Sequence, residues 1–97
     1  MTGFDEAFAT LPRLKVAAFL SGCEQADFLT IAERCDIAGP TLSKAIVALE
    51  ELGYLQVEKG YVGRRPRTWV SLSPAGTAAF TAHLAAVRGL AESATEA

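Results

Sequence analysis

The chain has 97 residues, enough for one domain and too few for two independent cores. It is 51% hydrophobic and 21% charged, which excludes a disordered chain, and no apolar run approaches the roughly 20 residues that span a bilayer. A formal charge of −2 argues against a polyanionic partner only if the charges are evenly spread, and they are not.

Residues 4–10 open with Phe4, Ala7 and Phe8 at three- and four-residue spacing, predicting a helical turn or two whose aromatic face needs a partner. Pro12 suits the first turn of a helix that largely buries Leu14, Val16, Ala17, Phe19 and Leu20 and ends near Ser21-Gly22. Asp27 is placed to cap the next helix by accepting from a backbone N–H two or three residues on. That helix, residues 28 to about 35, buries Phe28, Ile31 and Ala32, with Cys35 at the edge of the buried face. After a tight connection at 36–39, Pro40 starts a helix that runs to Leu52 and closes at Gly53. Leu42, Ala45, Ile46, Leu49 and Leu52 share one face, and Pro40, Ser43, Lys44, Val47 and Glu51 point the opposite way. Two short helices joined by about four residues, the second amphipathic, predict a helix-turn-helix.

Residues 54–58 alternate as a half-buried strand should, and residues 69–72 read as a second strand. Between them runs Lys-Gly-Tyr-Val-Gly-Arg-Arg-Pro-Arg-Thr, residues 59–68, which is expected to form a nine- or ten-residue loop. Pro66 stiffens its descending limb and biases Arg65 toward an extended conformation. Ser73-Pro74 pairs a cap with a proline at the first helical position, opening a last helix expected over 74–92 with Phe80, Leu84, Val87 and Ala91 in one stripe. A helix so short of charge needs cover on more than one face. A second copy of the chain is the expected cover, with the terminal helices 4–10 and 74–92 meeting through Phe4, Phe8, Phe80, Leu84, Val87 and Ala91.

The acids cluster at 5–6, 24–36, 50–58 and 92–96, leaving two acid-free gaps that hold six of the nine cations: Lys44, Lys59, Arg64, Arg65, Arg67 and Arg88. The loop at 59–68 alone carries four of them. A basic, glycine-punctuated hairpin tip behind a helix-turn-helix places cations on nucleic acid phosphates. Cys23 and Cys35 are the only cysteines and His83 the only histidine. Their spacing matches no zinc site, and the acids around the thiols do not favour thiolate. Two small, reduced, partly buried cysteines, a structural His83, and no metal or cofactor are expected. Nothing forms a glycine-rich phosphate loop or an obvious nucleophile–base set, so an enzyme is not expected. The opening Met1-Thr2-Gly3-Phe4-Asp5-Glu6 lacks the positive start and apolar stretch of a secretory signal, which makes the cytoplasm the expected compartment, with no membrane association.

The segment from Thr41 to Leu55, Thr-Leu-Ser-Lys-Ala-Ile-Val-Ala-Leu-Glu-Glu-Leu-Gly-Tyr-Leu, resembles the recognition helix and following strand of winged-helix transcriptional regulators in the MarR/ArsR superfamily. Gly60-Tyr61-Val62-Gly63-Arg64-Arg65-Pro66-Arg67-Thr68 and Leu72-Ser73-Pro74-Ala75-Gly76 are similar to the wing and post-wing turn of its small single-domain members. The resemblance covers residues 4–84 and implies a mostly α fold with a small β-hairpin: one winged helix-turn-helix domain over 1–97 with flanking N- and C-terminal dimerisation helices. It further implies a homodimer on a pseudo-palindromic operator in double-stranded DNA, recognition helix in the major groove and wing on adjacent backbone or minor groove. Position 45, often larger and polar in relatives, is Ala here.

Within that frame the helix start at Pro40 favours an anion, and the Thr41 and Ser43 hydroxyls suit phosphate or base-edge hydrogen bonds. Lys44 is placed for a guanine edge or a phosphate; Val47 is either a thymine-methyl contact or a stray surface valine. Arg64, Arg65 and Arg67 present planar forks to phosphate or a narrow minor groove, while Lys59 at the base serves the field. Tyr61 stacks on sugar or packs on Trp69, packing being the expectation. Two rival readings use the same scaffold: a protein-interaction module, or a sensor gated by a small-molecule effector or by oxidation at Cys23 and Cys35.

Overall fold

The computed structural model describes residues 3–96; the expected domain of 1–97 also takes in Met1, Thr2 and Ala97, which lie outside the described residues. In chain order come a 3-10 turn Glu6–Phe8, α1 (Leu11–Ser21), β1 (Ala26–Asp27), α2 (Phe28–Cys35), α3 (Gly39–Glu51), β2 (Leu55–Val62), β3 (Arg65–Leu72), α4 (Pro74–Ser93) and a closing 3-10 turn Ala94–Glu96. The three strands form one antiparallel sheet in the order β1-β3-β2. This is the α+β winged helix-turn-helix that the resemblance implied. No helix among the described residues is long and apolar enough to cross a membrane.

The local chemistry sets the element ends. Asp27 Oδ1 accepts from the Thr30 N–H at 3.0 Å and caps α2. Helix α2 stops where Asp36 turns left-handed at φ 54°, a conformation that short polar side chains tolerate. Ile37 then folds back into the core, and α3 begins with Pro40 in its first turn, where no N–H is needed. Leu42, Ala45, Ile46 and Leu49 of α3 pack with Val16, Ala17 and Leu20 of α1, Ile31 of α2, Leu55 of β2 and Val70 of β3.

The junction between sheet and last helix explains Leu72-Ser73-Pro74-Ala75-Gly76. Ser73 Oγ donates to the Gly53 carbonyl at 2.5 Å and accepts from the Gly76 N–H at 3.0 Å, while the Ser73 N–H donates to the Tyr54 carbonyl at 3.0 Å. Gly76 lies so close to the residue before β2 that an added Cβ would stand 2.1 Å from the Tyr54 carbonyl oxygen. The glycine is there because the backbones touch.

Several expectations are corrected. The residue 59–68 segment is mostly paired: β2 and β3 run in continuous register from Leu55↔Leu72 to Val62↔Arg65, leaving only Gly63 and Arg64 as the turn. Gly63 alone there takes a positive φ, 64°, the pattern of a type II′ hairpin turn. Strand β1 has no counterpart in the expected elements. The N-terminal helix shrinks to one 3-10 turn, since residues 4–10 are too short to pass the cost of helix nucleation. Leu52 falls just past the end of α3 and is exposed rather than buried. Tyr61 does not pack on Trp69; its strand partner is Pro66, and Trp69 pairs with Glu58.

The aromatic residues assigned to a dimer junction also divide. Phe8 (2% exposed) and Phe80 (3% exposed) bury each other edge to face at 5.3 Å within one protomer, and Phe8 stacks on Tyr54. They are core residues, unavailable to a second copy. His83 is structural: its Nδ1 accepts from the Asp5 N–H at 3.1 Å, and Phe4 and Phe8 pack on its ring. Further along α4 only Ala86 is still buried, and Leu84 (43%), Val87 (47%) and Leu90 (53%) stand exposed, with Ala91 beside them and Phe4 half-exposed nearby in the fold. The molecule measures 59 × 24 × 20 Å with a radius of gyration of 14.8 Å, against about 12–13 Å for a compact domain of this length. The projecting wing and the far half of α4 account for the excess.

Candidate nucleic-acid interface

Burying Leu42, Ala45, Ile46 and Leu49 turns the opposite face of α3 outward, and Pro40, Ser43, Lys44 and Val47 are exposed along it. Thr41 stands on the flank of this face, where it closes two shallow grooves against the start of α1. One is lined by Thr10, Pro12, Arg13, Thr41, Lys44 and Ala45, the other by Leu11, Pro12, Lys15, Asp36, Ile37, Ala38 and Thr41. Arg13 thus joins Lys44 across a groove that sequence reasoning missed. Its signal was weak: a single cation one position after Pro12, brought to Lys44 by helix packing rather than by spacing. Neither Thr10 nor Ala38, the residues capping α1 and α3, caps with its side chain, so the N–H groups of both first turns remain to be satisfied from outside.

The wing adds a second wall. Alternation puts Val57, Lys59 and Tyr61 of β2 on one face with Val70, Thr68 and Pro66 of β3. That face bounds a groove against α2 and α3 lined by Phe28, Ser43, Ile46, Val47, Glu50, Val57, Lys59 and Thr68. Lys59 therefore lies within the strand, facing the same groove as Ser43 and Val47, rather than at the foot of a loop. Arg64 occupies the turn and Arg65 opens β3, both exposed.

Arg67 is placed differently from its neighbours. Its Nη1 donates to Asp27 Oδ2, and the side chain is 35% exposed while the Asp27 carboxylate is buried. Hydrogen bonding from Thr30 is the main cause holding the Asp27 carboxyl below its ordinary range; burial opposes it, and Arg67 adds to the lowering. Among the described residues Lys59, Arg64 and Arg65 of the wing have no ion-pair partner, while Arg67 fastens the hairpin to the start of α2. The acids Glu50 and Glu51 close the far end of α3, where Glu51 lines a shallow groove with Lys44 and Glu50 the groove with Lys59, and Asp36 lines the groove at the helix start, so acids flank the cations on this surface.

Cys35 is buried, but Cys23, expected to be partly buried as well, stands exposed just beyond the end of α1; both are free thiols. Burial is the largest influence on Cys35 and raises its pKa, against smaller lowering by Lys15 and Arg34, which disfavours the reactive thiolate.

Known proteins share this geometry. Residues 12–91 match the family model described as a winged helix DNA-binding domain. The chain is 27% identical over 73 residues to the uncharacterized protein MJ0432 of Methanocaldococcus jannaschii, over 75% of this chain and 79% of that one. Among solved structures it is similar to a transcriptional regulator homologue from Pyrococcus horikoshii OT3, with a TM-score of 0.85 and 24% identity over 92% of this chain and 88% of that one. It is also similar to a MarR family transcriptional regulator from Silicibacter pomeroyi, with a TM-score of 0.70 and 25% identity over 87% of this chain but 57% of that longer one.

Proposed function

The chain belongs to the winged-helix DNA-binding domain family, with a MarR-like fold, and from that premise we propose that it is a cytoplasmic transcriptional regulator binding double-stranded DNA as a homodimer. The observation that carries this reading is the exposed outer face of α3: Thr41, Ser43, Lys44 and Val47 are held outward by a helix whose other face is fully buried. In the major groove, Lys44 suits a guanine edge and Val47 a thymine methyl, while Thr41 and Ser43 suit base edges or phosphate. Arg13 and the open first turns of α1 and α3 suit the phosphates on the groove's rim. Lys59, Arg64 and Arg65 extend the contact to the neighbouring backbone or minor groove.

Dimerisation supplies the second half-site. Leu84, Val87, Leu90 and Ala91 form an exposed apolar stripe on the projecting half of α4, and a second copy laid against it buries both stripes at once. Selecting duplexes from a random pool with purified protein tests the proposal. It requires an enriched motif with two-fold symmetry and half-sites about one helical turn apart; binding without any enriched motif would reduce the protein to a non-specific DNA coat.

A further inference from the structure

Tyr61 is 75% exposed, more than any other large hydrophobic residue that is exposed among the described residues. Nothing in the fold needs it there. Its cross-strand partner is Pro66, also exposed. The two-residue turn at Gly63-Arg64 makes Val62/Arg65 a hydrogen-bonded pair, so Tyr61/Pro66 is the next, non-hydrogen-bonded pair, in which facing side chains approach most closely. Proline's missing N–H costs the β2–β3 ladder nothing at that position. The result is an aromatic ring beside a rigid pyrrolidine, both at the end of the wing and both on the face shared with Lys59 and Thr68.

We propose that Tyr61 and Pro66 form an apolar clamp that seats against deoxyribose on the groove edge beside the segment read by α3. The inference rests on the DNA-binding reading above. Three observations select this occupant. The clamp continues the wall that Lys59 and Thr68 share with Ser43 and Val47. Its neighbours at the tip are the cations Arg64, in the turn, and Arg65, on the other face of β3, and no acid occurs from residue 59 to 91. Glu58, the nearest acid in sequence, lies on the opposite face of β2 by alternation. An apolar pair with Lys59 on its own face and Arg64 in the adjoining turn, the nearest acid of the groove being Glu50 across it on α3, matches a polyanion that offers apolar sugar faces between its phosphates. Tyrosine loses little rotamer freedom on docking, and Pro66 loses none.

The clamp differs from the arginines in what it contributes. Burial of a ring releases no counterions, so it strengthens binding equally at every salt concentration, and a sugar contact carries no base code. The test measures binding of the full chain to a mixed-sequence duplex of about 30 base pairs across a salt series, for wild type, Tyr61→Ala, Tyr61→Phe and Arg64→Ala. Tyr61→Ala is expected to weaken binding about tenfold, from partial loss of ring burial, with an unchanged slope of log affinity against log salt and unchanged melting. Tyr61→Phe keeps the affinity within about twofold, since the ring remains, whereas Arg64→Ala flattens the slope by about 0.9 for each phosphate no longer neutralised. Wild-type affinity in Tyr61→Ala would hand the patch to a protein partner and overturn the clamp. So would a slope that falls in Tyr61→Ala as it does in Arg64→Ala. A wild-type protein that binds no duplex would strike the DNA-binding reading itself, and the clamp with it.

Discussion

Arg67 and Asp27, forty residues apart in sequence, meet as an ion pair that joins the wing to the start of α2. Asp27 uses both carboxylate oxygens, Oδ1 to cap the helix and Oδ2 to hold the guanidinium. Asp27→Ala is therefore expected to destabilise the fold by about 2 kcal/mol, combining cap loss with an unpaired Arg67. Arg67→Ala removes the pair alone and, the side chain being partly exposed, costs about 1 kcal/mol or less. Urea unfolding of the two variants and their double gives the coupling; additivity within about 0.3 kcal/mol would show that the pair holds nothing together.

Acid should find the same contacts. Asp5 and Asp27 both sit below the ordinary value of 3.8, Asp5 chiefly because the Tyr54 hydroxyl donates to it at 2.5 Å and Asp27 chiefly through Thr30. For a carboxyl lowered by folding, the stabilisation is complete above the unfolded-state value and disappears as pH falls through the folded-state value. The urea midpoint is expected to drop as pH falls below about 4. Tyr54→Phe should lower stability by about 1 kcal/mol at neutral pH and reduce that acid dependence, because Asp5 then loses its main charge-stabilising partner. An unaltered acid profile in Tyr54→Phe would contradict the assignment.

Two glycines of α4 predict opposite outcomes. Gly76→Ala forces a Cβ into the Tyr54 carbonyl, 2.1 Å away, and is expected to cost about 3 kcal/mol, since backbone rather than a flexible side chain must move. Gly89→Ala meets nothing within 4 Å in the same helix and is expected to stabilise by about 0.5–1 kcal/mol through helix propensity and a less free unfolded chain. Thermal melts of the two variants on either side of the wild type would bear this out.

The stripe on α4 predicts an assembly change without unfolding. Leu84 and Val87 are already half exposed in the protomer, so the double variant Leu84→Glu/Val87→Glu should keep its far-ultraviolet circular dichroism and sediment as a monomer where the wild type sediments as a dimer. DNA affinity should fall with it, because linked half-sites bind far more tightly than one alone. A variant that remains dimeric would move the junction elsewhere.

Much of this was legible in the sequence because it is local. The Asp27 cap, the span of α2, Pro40 in the first turn of α3 and Ser73-Pro74 at the head of α4 each follow from neighbours a few residues apart. The outward set Pro40, Ser43, Lys44 and Val47 follows from helical period alone. What stayed hidden depends on distance or on competition between signals. Ala26–Asp27 is too short a strand to show alternation. Gly60, Gly63 and Pro66 suggested a loop, but the β2–β3 ladder continues past them because Pro66 falls at a position that needs no donor. Phe8 and Phe80 lie at opposite ends of the chain, and only the folded path of α1 and α4 makes them core rather than surface. Arg67 read as one more cation in a basic run until Asp27 stood beside it, and Arg13 joined Lys44 only through helix packing.

The central claim is that a locally positive face at the start of α3 and along the wing overcomes a formal charge of −2 to hold DNA. The most direct measurement is titration of duplex DNA in dilute buffer and then across a salt series, for wild type and for the variant Lys44→Ala/Arg64→Ala/Arg65→Ala. Tight wild-type binding is expected with a log–log slope of about −7, from about eight phosphates neutralised by a dimer, and a much shallower slope in the variant. A wild-type protein that forms no complex at low salt, or a variant that binds with the same slope, would contradict it.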